Sequence, residues 1–307
     1  MFDAARNSEI LTLIRKRRAK RVLIQVPEGL KTGVQELADF LEMNGCETII
    51  SIEPCFGACD LRDHEARTMG CDLLLHLGHA DFGVKTDVPV VYYEYPIEYD
   101  FVPLLKGIEG KTKFRKICLV STIQFGEGIK KAMAFLKGKG FIVYDGGHVL
   151  GCNVTAARKF EGSIECYLFI GSGRFHPLGL QEKTSKPVLF LDIEKRSLED
   201  LSHARDKMEI IRRLRIEKAK GSANFGIMVS AKPGQLRMDE ALRIKKKLNA
   251  AGKKAYILAG DVFSPEKIMG LKIGALINTA CPRIRDDAEL FGKVILNGDD
   301  VDEMLEK

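Results

Sequence analysis

Short apolar runs of strand length recur along the whole chain, separated by stretches in which apolar residues return every three or four positions. In order the runs are RVLIQV, ETIISI, DLLLHLG and PVVYYE, then KICLVS, FIVYD, CYLFIG and PVLFLD, then NFGIMVS, KAYILA, GALINT and KVILN. They form three sets of four strands, and the sets are spaced alike. Ile24, Leu119 and Ile227 occupy matching places 95 and 108 positions apart, and Leu74, Leu168 and Leu276 follow at 94 and 108. VPVVY in the first set returns as KPVLF in the second, with Pro89 and Pro187 98 positions apart. A period of this size that keeps its strand order indicates an internal repeat.

Between the strands the period changes to that of a helix. TGVQELADFLEMNG (32–45) places Val34, Leu37, Phe40 and Leu41 on one face and ends on Asn44 and Gly45, a helix stop. GIKKAMAFLKGKG (128–140) and LRMDEALRIKKKLNAAGK (236–253) are its counterparts, and KMEIIRRLRIEKAKG (207–221) reads as a further helix joining the second and third sets. Ser264, Pro265 and Glu266 read as a helix start, with a cap, a proline at the first helical position and an acid after it. The strands are almost wholly apolar rather than alternating, which fits parallel strands covered on both faces. The expected fold is therefore α/β. Three repeated small units, at 1–105, 106–205 and 206–307, each carry a four-stranded, mainly parallel sheet with flanking helices, and they are arranged around a pseudo-threefold axis.

Composition narrows the class. The 307 residues are 45% apolar and 29% charged, ordinary values for a globular protein. No apolar run approaches the ~18 residues of a membrane span, and MFDAARNSEI lacks the apolar core of a secretory leader, so a cytoplasmic protein without membrane contact is expected. The net charge of +6 permits an acidic partner. The densest basic run, RKRRAKR at 15–21, follows a helical stretch whose C-terminus favours cations, so direct nucleic-acid binding is not expected. Eight cysteines, at 46, 55, 59, 71, 118, 152, 166 and 281, are many for a reducing compartment and point to metal ligation for some of them. Cys118 and Cys166 sit inside apolar strands and read as core.

In parallel α/β sheets, ligands bind beyond the carboxyl ends of strands. Three such loops carry a cysteine beside glycine or proline: EPCFGACD (53–60), GGHVLGCN (146–153) and NTACPRIRDD (278–287). Cys59, Cys152 and Cys281 are thus one thiol per unit. Three converging thiolates would suit zinc with a fourth ligand or an open water, or an iron–sulfur cluster with one iron lacking a protein ligand. The alternative is three cysteines packed separately in turns. Cys55 and Cys59 form C-x-x-x-C, but Asp60, Leu61 and Arg62 follow, so the three-cysteine loop common to radical S-adenosylmethionine enzymes is absent. The small residues Gly57 and Ala58 favour Cys59 over Cys55 as the ligand, with Cys55 and Cys71 left as outside candidates. Further strand-end stretches are PEGLK (27–31), LGHAD (77–81), STIQF (121–125), GSGRFHP (171–177) and SAKPGQ (230–235). No phosphate-loop or dinucleotide fingerprint occurs, and no Ser-His-Asp order or carboxylate pair stands out. His79 and His176 read first as hydrogen-bonded structural residues. YYEYPIEYD (92–100) reads as a seal between units.

VPEGLK, GACD followed by LGH, VLGCN, GSGRFHPLGL and NTACPRIRDD, in that order across all three units, resemble the archaeal diphthamide-biosynthesis enzymes, the 2-(3-amino-3-carboxypropyl)histidine synthases. The resemblance implies three related α/β domains and one 4Fe–4S cluster held by Cys59, Cys152 and Cys281. It implies S-adenosylmethionine as co-substrate, cleaved to a 3-amino-3-carboxypropyl radical that adds to C2 of a histidine in elongation factor 2. It further implies a homodimer and an electron donor. Among strand-end residues, Gly29, His79 and Gln235 are then candidate contacts for S-adenosylmethionine, with Arg283 placed to meet its carboxylate or the protein partner. Two other readings remain open at this point. One is a quinolinate synthase-like iron–sulfur dehydratase and condensing enzyme, and the other is a non-catalytic iron–sulfur subunit.

Overall fold

The computed structural model describes residues 2–306. Strands β1 (Arg21–Gln25), β2 (Glu47–Ile50), β3 (Leu73–Leu77) and β4 (Val90–Tyr93) form one sheet in the order β2-β1-β3-β4, all parallel. Strands β5 (Lys116–Ser121), β6 (Ile142–His148), β7 (Cys166–Gly171), β8 (Val188–Asp192) and β9 (Ser197–Asp200) form the second, in the order β6-β5-β7-β8-β9. Strands β10 (Asn224–Ser230), β11 (Lys254–Gly260), β12 (Ala275–Asn278) and β13 (Val294–Asn297) form the third, in the order β11-β10-β12-β13 and again parallel. The topology of the first four strands is the same in each sheet. The exception is β9, an antiparallel addition to the edge of the second sheet that pairs Asp192 with Ser197 and Leu189 with Asp200.

Each sheet buries both faces, as its apolar strands require. In the first, Val22, Ile24 and Leu75 face the helices Ala4–Lys16 and Val34–Met43, and Leu23 and Leu74 face a second cluster with Leu61 and Ala66. The second sheet divides in the same way between Ile117, Leu119 and Leu168 on one side and Cys118, Tyr167 and Phe169 on the other. The third splits between Ile227 and Ile277, and Met228 and Leu276. Cys118 and Cys166 are fully buried, as their strand positions implied.

The helix that follows the first strand of each set ends in the same way. After Val34–Met43, Gly126–Gly138 and Met238–Ala250 the chain turns through Gly45, Gly140 and Gly252, all at positive φ, where a side chain would be strained. The joining helix runs Ser202–Lys220, five residues earlier at its start than the apolar period indicated, and packs against the helix Phe175–Lys183 and β13. The YYEYPIEYD stretch leads from the first sheet to the second: Ile97 N–H donates to the Gln124 carbonyl at 2.8 Å, and Tyr99 stacks on Phe101, which is buried in the core of the second sheet. Among the described residues no helix is long and apolar enough to cross a membrane.

Candidate metal centre

The strand order β2-β1-β3-β4 reverses direction between β1 and β3, and ligands in such sheets bind at the carboxyl end of that crevice. Loops from all three sheets meet there around one cavity of about 900 Å³. Cys59, Cys152 and Cys281 all line it, each half-buried, whereas Cys46, Cys55, Cys71, Cys118 and Cys166 are buried and do not line it.

Each loop is fixed by its own device. Cys59 is held against the third unit. Its carbonyl accepts from Gly234 N–H at 3.0 Å, and its Sγ accepts from Gln235 Nε2 at 3.3 Å. A Cβ on Gly234 would stand 2.5 Å from Cys59 Cα, so only glycine permits this approach. The Cys152 turn is closed by reciprocal backbone bonds between Leu150 and Asn153, both 3.0 Å, and Lys183 Nζ donates to the Cys152 carbonyl. Beside it Gly151 N–H donates to His176 Nδ1 at 3.0 Å. Asn278, the last residue of β12, donates to the Cys281 carbonyl at 2.8 Å and accepts from Ala280 N–H at 3.0 Å.

The thiols feel one another. Burial pushes the Cys59 thiol up, the Gln235 hydrogen bond opposes this, and Cys281 and Cys152 push further upward. Burial likewise raises Cys281, against the Arg283 backbone N–H and the positive charges of Arg283 and Lys232. A cation bound among the three sulfurs would offset both burial and mutual repulsion and so favour their thiolate forms. The donor set contains sulfur from three sheets and a cavity beyond it, and it fits an iron–sulfur cluster ligated by three cysteines.

The units are locked around this point. Lys232 Nζ, 5% exposed, pairs with Asp60 Oδ2, fully buried, at 2.7 Å across the first and third units. Arg285 pairs with Glu182 at 2.8 Å across the third and second, and Gln124 Nε2 bonds the Gly78 carbonyl at 2.5 Å across the second and first. Arg283 lays its guanidinium 4.6 Å over the Phe175 ring.

Of the candidate contacts for a co-substrate, His79, Gln235 and Arg283 line the cavity. Gly29 lies in the exposed turn Glu28–Gly33 after β1 and is not among the lining residues. A polar group that strand patterning passed over sits beneath His79. His76 and Gln25 are both fully buried and stand opposite each other at the ends of β3 and β1. His76 Nδ1 is 3.0 Å from Gln25 Oε1, and His76 Nε2 is 3.0 Å from His79 Nδ1. Burial lowers His76 to about 3 and His79 to about 4, so both rings are neutral near pH 7. Cys55 Sγ lies within 4.8 Å of one ring nitrogen of each histidine, but burial holds its thiol up at about 12. The visible signal in the sequence was a glutamine and a histidine interrupting otherwise apolar strands.

A family model for diphthamide synthesis proteins matches residues 26–306. The chain belongs to this family. The diphthamide family member 2-(3-amino-3-carboxypropyl)histidine synthase of Pyrococcus horikoshii is 39% identical over 99% of this chain and 91% of its own length. Subunit 1 of the enzyme of the same name from Saccharomyces cerevisiae is 28% identical over 96% of this chain and 73% of its own. The crystal structure of Dph2 from Pyrococcus horikoshii with a 4Fe–4S cluster superposes with a TM-score of 0.91 at 38% identity, covering 97% of this chain and 90% of that one. The three-unit α/β fold expected from the repeat is therefore the fold of a cluster-bearing diphthamide family protein.

Proposed function

We propose that this chain is an enzyme that transfers the 3-amino-3-carboxypropyl group of S-adenosylmethionine to C2 of a histidine in elongation factor 2, the first step of diphthamide synthesis. The observation that carries the reading is the meeting of Cys59, Cys152 and Cys281, one from each sheet, at a single cavity large enough for a cluster and a nucleoside. The relatives' shared name supports it over a quinolinate synthase-like dehydratase or a non-catalytic iron–sulfur subunit. On this reading the three cysteines hold the 4Fe–4S cluster, and the units 1–105, 106–205 and 206–307 stand around a pseudo-threefold axis. When bound, such a cluster offers one iron without a protein ligand and the electron that breaks a carbon–sulfur bond.

The chain's own work is positioning. Gln235, hydrogen-bonded to Cys59 Sγ, orients that sulfur and lies where a methionine moiety would approach. Arg283, steadied by Phe175, supplies a cation for the carboxylate. Lys232, 5% exposed on the cavity wall, adds positive charge beside the Cys281 sulfur. The same reading takes elongation factor 2 as the protein substrate, two copies of the chain as the working assembly, a separate reductant as electron donor, and the cytoplasm as the compartment. The test is anaerobic reconstitution, reduction and incubation with S-adenosylmethionine and elongation factor 2, followed by mass analysis of the histidine peptide. Methylthioadenosine release together with an added aminocarboxypropyl mass is the expected result, and an unmodified peptide overturns the assignment.

A further inference from the structure

The proposed reaction leaves a proton to be disposed of. A carbon radical that adds to C2 of an imidazole produces an adduct whose C2 carries both its hydrogen and the new substituent. Aromaticity returns only when that adduct loses one electron and the C2 proton. A cluster held by Cys59, Cys152 and Cys281 would take that electron back, having given one to break the carbon–sulfur bond. Summed, one carbon–sulfur bond of the donor breaks, one carbon–carbon bond forms, the C2–H bond breaks, and one proton is released with no net change in electrons. The proton requires a base in the cavity.

We propose that His79 is that base, and that Gln25 and His76 are positioning residues that hold its ring in the tautomer with a free Nε2 lone pair. This rests on the function proposed above. Two backbone groups whose polarity cannot be reversed flank the Gln25 amide. The Asp60 carbonyl accepts from Gln25 Nε2 at 2.6 Å, and Arg62 N–H donates to Gln25 Oε1 at 3.3 Å. Turning the Gln25 amide over would set oxygen against oxygen and N–H against N–H. Oε1 is therefore the atom facing His76 Nδ1 at 3.0 Å, and an oxygen only accepts, so His76 Nδ1 carries the hydrogen. A neutral imidazole has one such hydrogen, which leaves His76 Nε2 a lone pair. The 3.0 Å contact from that nitrogen to His79 Nδ1 is a hydrogen bond only if His79 Nδ1 carries the hydrogen. The lone pair of His79 is then on Nε2, and His79 is among the residues that line the cavity.

His176, also on the cavity wall, is set the opposite way. Gly151 N–H donates to His176 Nδ1, so the hydrogen of a neutral His176 is on Nε2 and that ring is a donor. Of the three histidines that line the cavity, His79, His148 and His176, the first is thus set to accept and the last to donate. A weak base suffices at His79, because a C2 proton whose loss restores an aromatic ring is strongly acidic. Gln25 ends the chain of hydrogen bonds, since an amide does not take up the proton. The charge stays on the His79–His76 pair and leaves by the cavity.

Two measurements test this. In full-length protein labelled with 15N-histidine, long-range proton–nitrogen correlation should show Nδ1–H on His79 and Nε2–H on His176. Nε2–H on His79 overturns the proposal. So does zinc retained by a chain with Cys59, Cys152 and Cys281 replaced by alanine and released on Cys55→Ala, because a metal would then take a ring nitrogen of both His76 and His79 in place of the hydrogen bond between them. In the cluster-loaded enzyme, His79→Gln should lower the yield of modified histidine per methylthioadenosine released by about 10²-fold, the usual scale of a lost general base. A substrate deuterated at the histidine C2 should react more slowly than the protonated one in this variant. If the two products fall together at a wild-type ratio, His79 serves the donor instead and the proposal fails. Absence of methylthioadenosine from the wild-type enzyme would instead defeat the underlying function.

Discussion

The first and second sheets share a topology and differ in what they bury at the same place. Where β1 meets β3, Gln25 stands opposite His76, and Asp60, Arg62 and Lys232 are packed just beyond, all at most 5% exposed. Where β5 meets β7, Ser121 stands opposite Ile170, its hydroxyl donating to the Ile170 carbonyl at 2.6 Å, and Phe169 and Phe190 fill the space behind. The repeat thus dictates where a strand ends and a loop begins, while the chemistry at that end is particular to each unit. The first unit spends buried charge and hydrogen bonds beside Cys59. The second supports Cys152 on an apolar base. The third lies between them, with Met228 opposite Asn278, whose side chain anchors the Cys281 loop.

The sharpest way to break this comparison is to remove a thiol from each side of it. Cys59→Ala, Cys152→Ala or Cys281→Ala should each abolish stable cluster incorporation, read as iron content and visible absorption after anaerobic reconstitution. Cys118→Ala and Cys166→Ala remove thiols that burial holds up at about 12 inside the second sheet, and iron content should survive both. Loss of iron on Cys166→Ala, or its retention on Cys152→Ala, would show that the cavity set has been misassigned.

The next effect is on stability. Lys232→Met leaves Asp60 as a fully buried carboxylate without its 2.7 Å partner, a change that typically costs about 3–5 kcal/mol. Arg62, 3.6 Å from the other Asp60 oxygen, moderates the loss without replacing the hydrogen bond. In the apolar base of the second sheet, Phe169→Leu keeps a large hydrocarbon side chain and should cost far less, within about 1.5 kcal/mol if the neighbours repack. Urea unfolding at pH 7 compares the two. A Lys232→Met variant no weaker than Phe169→Leu would mean that the polar end of the first sheet is not a structural commitment.

This contrast also explains what was legible in the sequence. Strands in the apolar interior announce themselves, and the twelve apolar runs correspond to twelve of the thirteen strands among the described residues. The missing one, β9, is SLED, an antiparallel edge strand exposed at both ends whose polar residues give no apolar run to read. The cysteine loops were legible because a thiol beside glycine or proline at a strand end is an unusual local signal. Asp60 and Lys232 were not, because they are 172 positions apart and hydrophobic period carries no information about which charges will pair. Gln25 and His76 were hidden by their strands: pattern shows where such residues lie but not that they face each other across β1 and β3. Gly29 fits the strand-end rule and still misses the cavity, because the turn after β1 winds into a short 3-10 helix on the exposed surface.

A pH dependence should follow from the first sheet. His76 is fully buried and lowered from 6.5 to about 3, so the unfolded chain takes up a proton that the folded one refuses. A depressed histidine is therefore harmless above pH 6.5 and erodes stability as pH falls from there towards 3. Between pH 7 and pH 5 this one group should cost about 2 kcal/mol. His76→Asn removes the titration, so its unfolding free energy should fall less steeply over the same interval than that of the unsubstituted chain. Equal slopes would assign the acid sensitivity to other groups.

The smallest expected effect concerns the one strand that departs from the repeat. Glu199 on β9 meets Arg174 at 3.0 Å, with side chains 42% and 46% exposed. The contact resembles the Asp60–Lys232 pair in distance and in joining separate segments, but water screens both partners. Glu199→Gln should therefore change unfolding free energy by about 1 kcal/mol or less, and added salt should erase most of the difference. The variant separates geometry from environment: two ion pairs of nearly equal length should differ several-fold in consequence because one is sealed beside Cys59 and the other faces solvent. A large, salt-insensitive loss at Glu199 would make β9 a support of the second sheet on a par with the buried polar end of the first.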